Sequence, residues 1–202
     1  DYNNEKVEWR YKNHKWVSNP INNPINFNGM YEGSLFYGTR FADSVIVDKL
    51  FKQGRIKNRD IADADDYIKD QLSFILHGNY KYYRSLKRIR NKEIAKNLCL
   101  KNTPYFVEAR NNQLISQYRM SSGECLLVSL LHFIYNALIR KSLPTDQPIL
   151  MLIDEIELAL HPVAVKRFIE LLNGLVDDHD NLTIILTSHS PEVIHEIRPS
   201  NI

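Results

Sequence analysis

Two acidic residues at the end of an apolar run are the first place in this chain where residue types and spacing could do chemistry. Ile149-Leu150-Met151-Leu152-Ile153 runs straight into Asp154-Glu155, and a second run, Leu182-Thr183-Ile184-Ile185-Leu186-Thr187, leads into Ser188-His189-Ser190-Pro191. Adjacent carboxylates suit a divalent cation and a water: one holds Mg2+, directly or through water, and the other orients or deprotonates a nucleophilic water. A histidine leaving the neighbouring strand could touch the oxygen that gathers charge in the transition state. Taken alone, an Asp-Glu pair after a strand reads equally as a solvated loop. Upstream, Met120-Ser121-Ser122-Gly123-Glu124 opens a helix. Ser121 with Glu124 three residues on is a capping box. The same helix start, with serine hydroxyls, an exposed glycine amide and a positive dipole end, is also a phosphate-binding surface, and the two readings are compatible.

The elements that must position these groups follow from periodicity. Residues 121–141 read as a buried helix, apolar on nearly every side, with Arg140 and Lys141 at the negative end of its dipole and Pro144 preventing continuation. The short run 149–153 is the pattern of a strand covered on both sides in a parallel sheet. A helix from about Pro162 to Val176 follows, and residues 182–187 complete a β-α-β unit with parallel neighbours. Its strand ends carry the acids and the histidine, where open α/β sheets gather ligands. Ahead of this unit, Tyr105–Ala109 and Gln113–Tyr118 read as a hairpin around Arg110-Asn111-Asn112. From Asp43 to about Asn102 the spacing reads as two or three helices with charged outer faces. The first 28 residues hold eight asparagines with Pro20 and Pro24, and read as irregular backbone anchored by Trp9 and Trp16.

Composition narrows the function class. The 202 residues carry 26 basic and 24 acidic groups and are 44% hydrophobic, an ordinary globular balance. No run approaches the roughly 18 apolar residues of a membrane span, and no secretory leader opens the chain, so no membrane partner is expected. Cys99 and Cys125 form no metal-ligand spacing and fit a reducing compartment, which predicts a cytoplasmic protein. The near-neutral total hides an asymmetry: residues 51–110 carry 14 basic against 7 acidic groups, and residues 141–202 carry 4 against 10. Within the basic block, Lys81, Arg84, Arg88 and Lys92 fall on one face if the segment is helical, beside Tyr80, Tyr82 and Tyr83. That stripe suits DNA or RNA backbone, or is a solvated face, or pairs with the acidic end of the chain. Asp63, Asp65 and Asp66 read as a solvated helix start, and His132 as a satisfied core histidine.

Taken together, three motifs resemble one family. Met120–Glu124 looks like the signature motif of ABC-type ATPases, Ile149–Glu155 like their Walker B strand with its catalytic glutamate, and Thr187-Ser188-His189 like their switch histidine, 35 positions after Asp154. Asp154-Glu155-Ile156-Glu157-Leu158-Ala159-Leu160-His161-Pro162 is more similar to the soluble SMC-, RecF- and OLD-like branch than to transporters, and most similar to anti-phage defence ATPases of the PtuA type found with Septu systems and retrons. The resemblance covers about residues 104–202. It implies a P-loop NTPase fold, α/β with a parallel β-α-β core and an inserted, mainly helical region. It implies ATP and Mg2+ as cofactors, with Asp154 on the metal, Glu155 polarising the attacking water and His189 on the γ-phosphate. Ser121, Ser122, Gly123 and Glu124 would meet the ATP of a second ATPase subunit, docked head to tail, and the dimer would regulate an effector, a nuclease in the defence systems. The alternatives are a DNA-repair ATPase and a non-hydrolysing scaffold. His161 stands near the D-loop position of transporters and reads as structural packing.

One family element is missing from this sequence. No G-x-x-x-x-G-K-[S/T] occurs, and Gly29, Gly33 and Gly38 have no Lys-Ser or Lys-Thr after them. The expectation is a C-terminal ATPase part whose phosphate loop lies upstream or on another chain, with Asp1 marking a cut. This organisation comprises an irregular segment at 1–42, a charged helical insertion at 43–103 and the ATPase part at 104–202.

Overall fold

The computed structural model describes residues 9–12, 15–18, 28–32, 41–109, 113–140 and 148–197. In chain order its elements are strands β1 (Trp9–Lys12), β2 (Lys15–Ser18) and β3 (Asn28–Glu32), helix α1 (Phe41–Lys52), strand β4 (Ile61–Asp63), helix α2 (Asp66–His77), strand β5 (Leu86–Ile89) and helix α3 (Lys92–Asn97). Then come β6 (Tyr105–Glu108), β7 (Leu114–Ser116), α4 (Ser122–Ile134) continued by a π-helical turn Tyr135–Ile139, β8 (Ile149–Asp154), α5 (Pro162–Asp178), β9 (Leu182–Thr187) and α6 (Pro191–Glu196).

The expected β-α-β unit is present. β8 lies between β3 and β9, parallel to both, and its register pairs Asp154 with Thr187 at the end that carries the acids. Helix α5 makes the crossover. Pro162 stands in its first turn, His161 caps it through Nδ1, which accepts from the Val163 amide, and Ala164, Val165, Phe168, Ile169, Leu172 and Leu175 form its buried stripe. Pro at a helix start costs no hydrogen bond, and the stripe follows the 3.6-residue period. His161 therefore has a structural place at the helix start.

Two segments differ from the sequence reading. The asparagine-rich start was expected to be irregular, yet it contains the β1–β2 hairpin and β3, which pairs along β8 from Asn28↔Ile149 to Glu32↔Ile153. A five-residue strand with no apolar run gets its hydrogen bonds from a partner more than a hundred residues away, which local pattern cannot show. The charged block was expected to be mainly helical, with two or three helices, and it contains the strands β4 and β5 as well. They continue β6 and β7 into a four-stranded antiparallel sheet of order β4-β5-β6-β7. The basic stripe is thereby taken off any single helix: Lys81 and Arg84 lie in the irregular connection after α2, Arg88 is in β5, and Lys92 opens α3. Leu-Lys-Arg-Ile mimics a helical face until its cross-strand partners are known.

Alternation places this sheet between two cores. Leu86 and Tyr105 face the main core with α2, α4, α5 and β8. Ile89 and Phe106, on the opposite face, meet Val47, Leu50, Ala95 and Leu100 from α1, α3 and the segment after it. Asp43 is buried at the edge of this second core, where it accepts from the amides of Lys101 and Asn102 and from the Asn102 side chain. Asp65, read as part of a solvated helix start, stands at such a start and caps α2 by accepting from the Tyr67 amide, and Gly78 closes that helix at a left-handed φ of 69°.

Helix α4 is the axis of the main core. With its π-helical extension it is long and apolar enough, by composition, to cross a membrane. Here it is a core helix instead, with Leu127, Val128, Leu130, Leu131 and Ile134 fully covered by protein. His132 on this helix is satisfied as expected: its Nδ1 lies 2.6 Å from the Tyr105 hydroxyl. Burial, helped by Arg88 and Lys92, pulls its pKa from 6.5 down to about 4, while burial raises that of Tyr105 and keeps the phenol a donor. Between those two pH values the unfolded chain takes up a proton that the folded chain refuses, so stability falls as pH falls through this window, by about 3 kcal/mol in total. Urea unfolding at neutral and mildly acidic pH therefore shows a larger acid loss in the wild type than in His132→Gln. Equal losses in the two proteins would remove this account.

Candidate functional site

The strand-end acids and the histidine are brought together. The Asp154 carboxylate accepts a hydrogen bond from the Thr187 hydroxyl, and the Glu155 amide donates to both the carbonyl and the hydroxyl oxygen of Thr187. Glu155 is in the left-handed region, φ 52° and ψ 52°, which turns the chain off β8 into a short 3-10 turn, Ile156–Leu158. A non-glycine residue held this way costs about 1–3 kcal/mol, and such strain gathers at functional sites. Here the bonds to Thr187 hold it. Glu155 Oε1 lies 3.7 Å from His189 Nε2, and the His189 side chain is 89% exposed, open to a ligand above the sheet edge.

A third carboxylate belongs to this cluster and was missed by motif reading. Glu157 Oε1 accepts from the His189 amide at 2.6 Å, while its Oε2 is buried without a hydrogen-bond partner. Its pKa is lowered even though burial, the largest influence, pushes it up; the hydrogen bonds from His189, its own amide and Ser188 outweigh that cost. Glu157 thus fixes the backbone from which the histidine projects. The sequence did carry a signal, a lone acid in the otherwise apolar Ile156-Glu157-Leu158-Ala159-Leu160. Among the described residues no group of three or more His, Cys, Asp or Glu side chains is placed to hold a metal. Asp154 fits the lesser demand of Mg2+, which keeps waters and takes one or two carboxylates together with substrate phosphates.

The helix-start motif is built as its capping box requires. Ser121 Oγ accepts from the Glu124 amide, and Glu124 Oε2 accepts from the Ser121 amide and hydroxyl at 2.8 Å. Ser121 and Ser122 are exposed. Gly123 is a correction: expected to expose its amide, it is buried, because the α4 start is packed against the turn after β8. A Cβ there would stand 2.5 Å from the Ala159 carbonyl oxygen and 2.8 Å from Leu160 Cδ2. Glu124 has a second partner, the Tyr83 hydroxyl, which also lies 3.3 Å from His77 Nε2. Burial and the Glu124 carboxylate raise the Tyr83 pKa, so the phenol remains the donor. Tyr83 was counted in sequence only as a neighbour of the basic stripe.

The family described as AAA domain, putative AbiEii toxin, Type IV TA system matches residues 8–195. The chain belongs to that family. The AAA match begins well before the motifs at 104–202 and takes in the antiparallel sheet and the first strands. The ATPase-type fold expected from the motifs is the fold present: a P-loop NTPase-like α/β core with the acids at the carboxyl end of its central strand. Among curated proteins, this AAA domain is 33% identical over 111 residues to the Retron Ec83 probable ATPase of Escherichia coli, a match covering 52% of this chain and 20% of that protein. The chain therefore spans about a fifth of the length of that relative. Among solved structures it is similar to the Smc head domain from Pyrococcus furiosus with bound ScpA C-terminal domain, at TM-score 0.43 and 19% identity over 64% of this chain and 29% of that one. It is also similar to the SMC head domain from Thermotoga maritima, at TM-score 0.38 and 14% identity over 82% and 46%.

Proposed function

We propose that this AAA-family chain supplies the acid-and-histidine half of an ATP site in a protein that binds and hydrolyses Mg-ATP as a head-to-tail dimer. The observation that carries the reading is Glu155 held in a strained left-handed turn at the end of β8, 3.7 Å from a histidine leaving β9. Asp154 would hold Mg2+, which supplies charge neutralisation to the phosphates. Glu155 takes the proton of the attacking water, and His189, fixed at its amide by Glu157, reaches the γ-phosphate. Ser121 and Ser122 at the exposed start of α4 donate to the phosphate of the nucleotide held by the second subunit.

The match to a retron ATPase supports ATP use in a retron-linked protein; the further role, a dimer that regulates an effector nuclease in anti-phage defence, rests on the motif resemblance. The Cys99 and Cys125 thiols, neither of them in a disulfide, are compatible with the cytoplasm. A non-hydrolysing scaffold is the competing reading; the absence of G-x-x-x-x-G-K-[S/T] from this sequence favours it only where no other part of the complete protein supplies that loop.

The dimer is tested at Ser122 in the complete protein. Sedimentation with ATP gives a dimer for the parent and a monomer for Ser122→Arg, whose long cation blocks the shared phosphate surface, while both still bind nucleotide. A mass that ignores ATP, or a Ser122→Arg protein that dimerises normally, would overturn the head-to-tail arrangement.

A further inference from the structure

One recess among the described residues shares no lining residue with the strand-end acids and histidine. It lies between the β5–β6 face of the antiparallel sheet and the second half of α4, encloses about 900 Å³, and carries five cations: Arg88, Arg90, Lys92, Lys101 and Arg140. No described residue lining it is acidic. Among the described residues, none of Arg88, Lys92, Lys101 and Arg140 forms an ion pair through its side chain. Arg90 is held in place by the carbonyls of Arg59 and Ile61, which fix its guanidinium without neutralising it. Five like charges gathered around one concavity repel one another, and a bound polyanion relieves that repulsion.

We propose that this cleft binds a segment of single-stranded nucleic acid. The cations come from four separate places, β5 and its end, the start of α3, the segment after α3, and the end of the α4 extension. That spread suits phosphates spaced along a chain better than the clustered charge of one free nucleotide. Partly buried Tyr118 and Phe133 line the same recess and offer rings for bases, as single-strand sites do. The volume falls within the usual range of small-ligand pockets, about 300–1,000 Å³, which admits a few unstacked nucleotides and excludes a duplex. One end is marked by charge: an adjoining recess shares Arg88, His132 and Arg140 but adds Asp63 and Asp65, which turn phosphates away. Two of the residues singled out in sequence, Arg88 and Lys92, line this cleft, and Lys81 and Arg84 do not.

The test is fluorescence anisotropy on the complete protein with labelled single-stranded DNA and RNA of about 12 nucleotides, within the usual single-strand site size. The triple replacement Arg88→Gln, Lys92→Gln and Arg140→Gln weakens binding at least about tenfold and flattens the salt dependence by about two units of slope, at about 0.7 per lost phosphate contact. Arg88→Lys keeps charge and retains most of the affinity. Addition of the oligonucleotide raises the titration point of His132, seen by NMR, because phosphate offsets Arg88 and Lys92. Unchanged affinity and slope in the triple variant would overturn the proposal. So would duplex binding as tight as single strand, or full displacement by a small excess of tripolyphosphate, which would mark a free-nucleotide site. Glu155→Gln keeps this binding while hydrolysis slows, so the cleft and the ATPase reading can fail separately.

Discussion

Replacing Glu155 with glutamine in the complete protein lowers ATP turnover by about 10²–10⁴-fold, the usual contribution of a positioned base, and leaves ATP binding intact. That factor corresponds to about 3–5 kcal/mol of barrier. Glutamine keeps the size of the side chain and, being no better suited to φ 52° than glutamate, adds no new backbone cost. What it loses is the capacity to take a proton from water and to carry negative charge beside His189. Phosphate release and equilibrium nucleotide binding measured on the same preparation separate the two effects. Undiminished turnover would show that the strand-end acid is not the base, and would overturn the role given to Glu155.

The second large effect is expected at Gly123. An added methyl group meets a carbonyl oxygen and a leucine methyl at distances that real side chains do not tolerate, so Gly123→Ala must move the start of α4 away from the Ala159–Leu160 turn. Overpacking against backbone belongs at the upper end of its range, about 3 kcal/mol. The displacement carries Ser121, Ser122 and the capping box with it, and draws Glu124 away from Tyr83. Urea unfolding of Gly123→Ala shows the stability loss, and sedimentation with ATP shows a weakened dimer. Ser121→Ala, by contrast, loses only the N-cap, about 1 kcal/mol. A Gly123→Ala protein as stable as its parent would mean that the turn after β8 yields freely.

The glycine is thus present for a reason other than the one its motif suggests. Sequence assigned it an exposed amide for phosphate; the fold places it where the start of α4 packs tightly against the turn that follows the acids. Glu157 shows the converse. It stands among apolar residues as an unremarked acid, and its value as the clamp on the His189 amide exists only once β9 is laid beside β8.

Local pattern by itself determined the back half of the molecule: the strand ending in Asp154-Glu155, the α5 crossover with Pro162 at its start, the strand leading to His189, and the buried helix behind a capping box. Each of these is encoded by near neighbours, through continuous apolar runs, 3.6-residue stripes and caps a few positions away. Only the tertiary structure decided that Asn28–Glu32 is a strand of the core sheet and that Leu86–Ile89 is a strand and not a helix. Both are short, and one is charged, so their state is set by hydrogen bonds to distant partners, β8 for the first and β4 and β6 for the second. The same pairing dissolved the basic stripe. Separation by three, seven and eleven residues aligns charges only on a helix; on a strand followed by a helix start, Arg88 and Lys92 instead turn into a cleft with Arg90, Lys101 and Arg140, a grouping that no one-dimensional spacing contains.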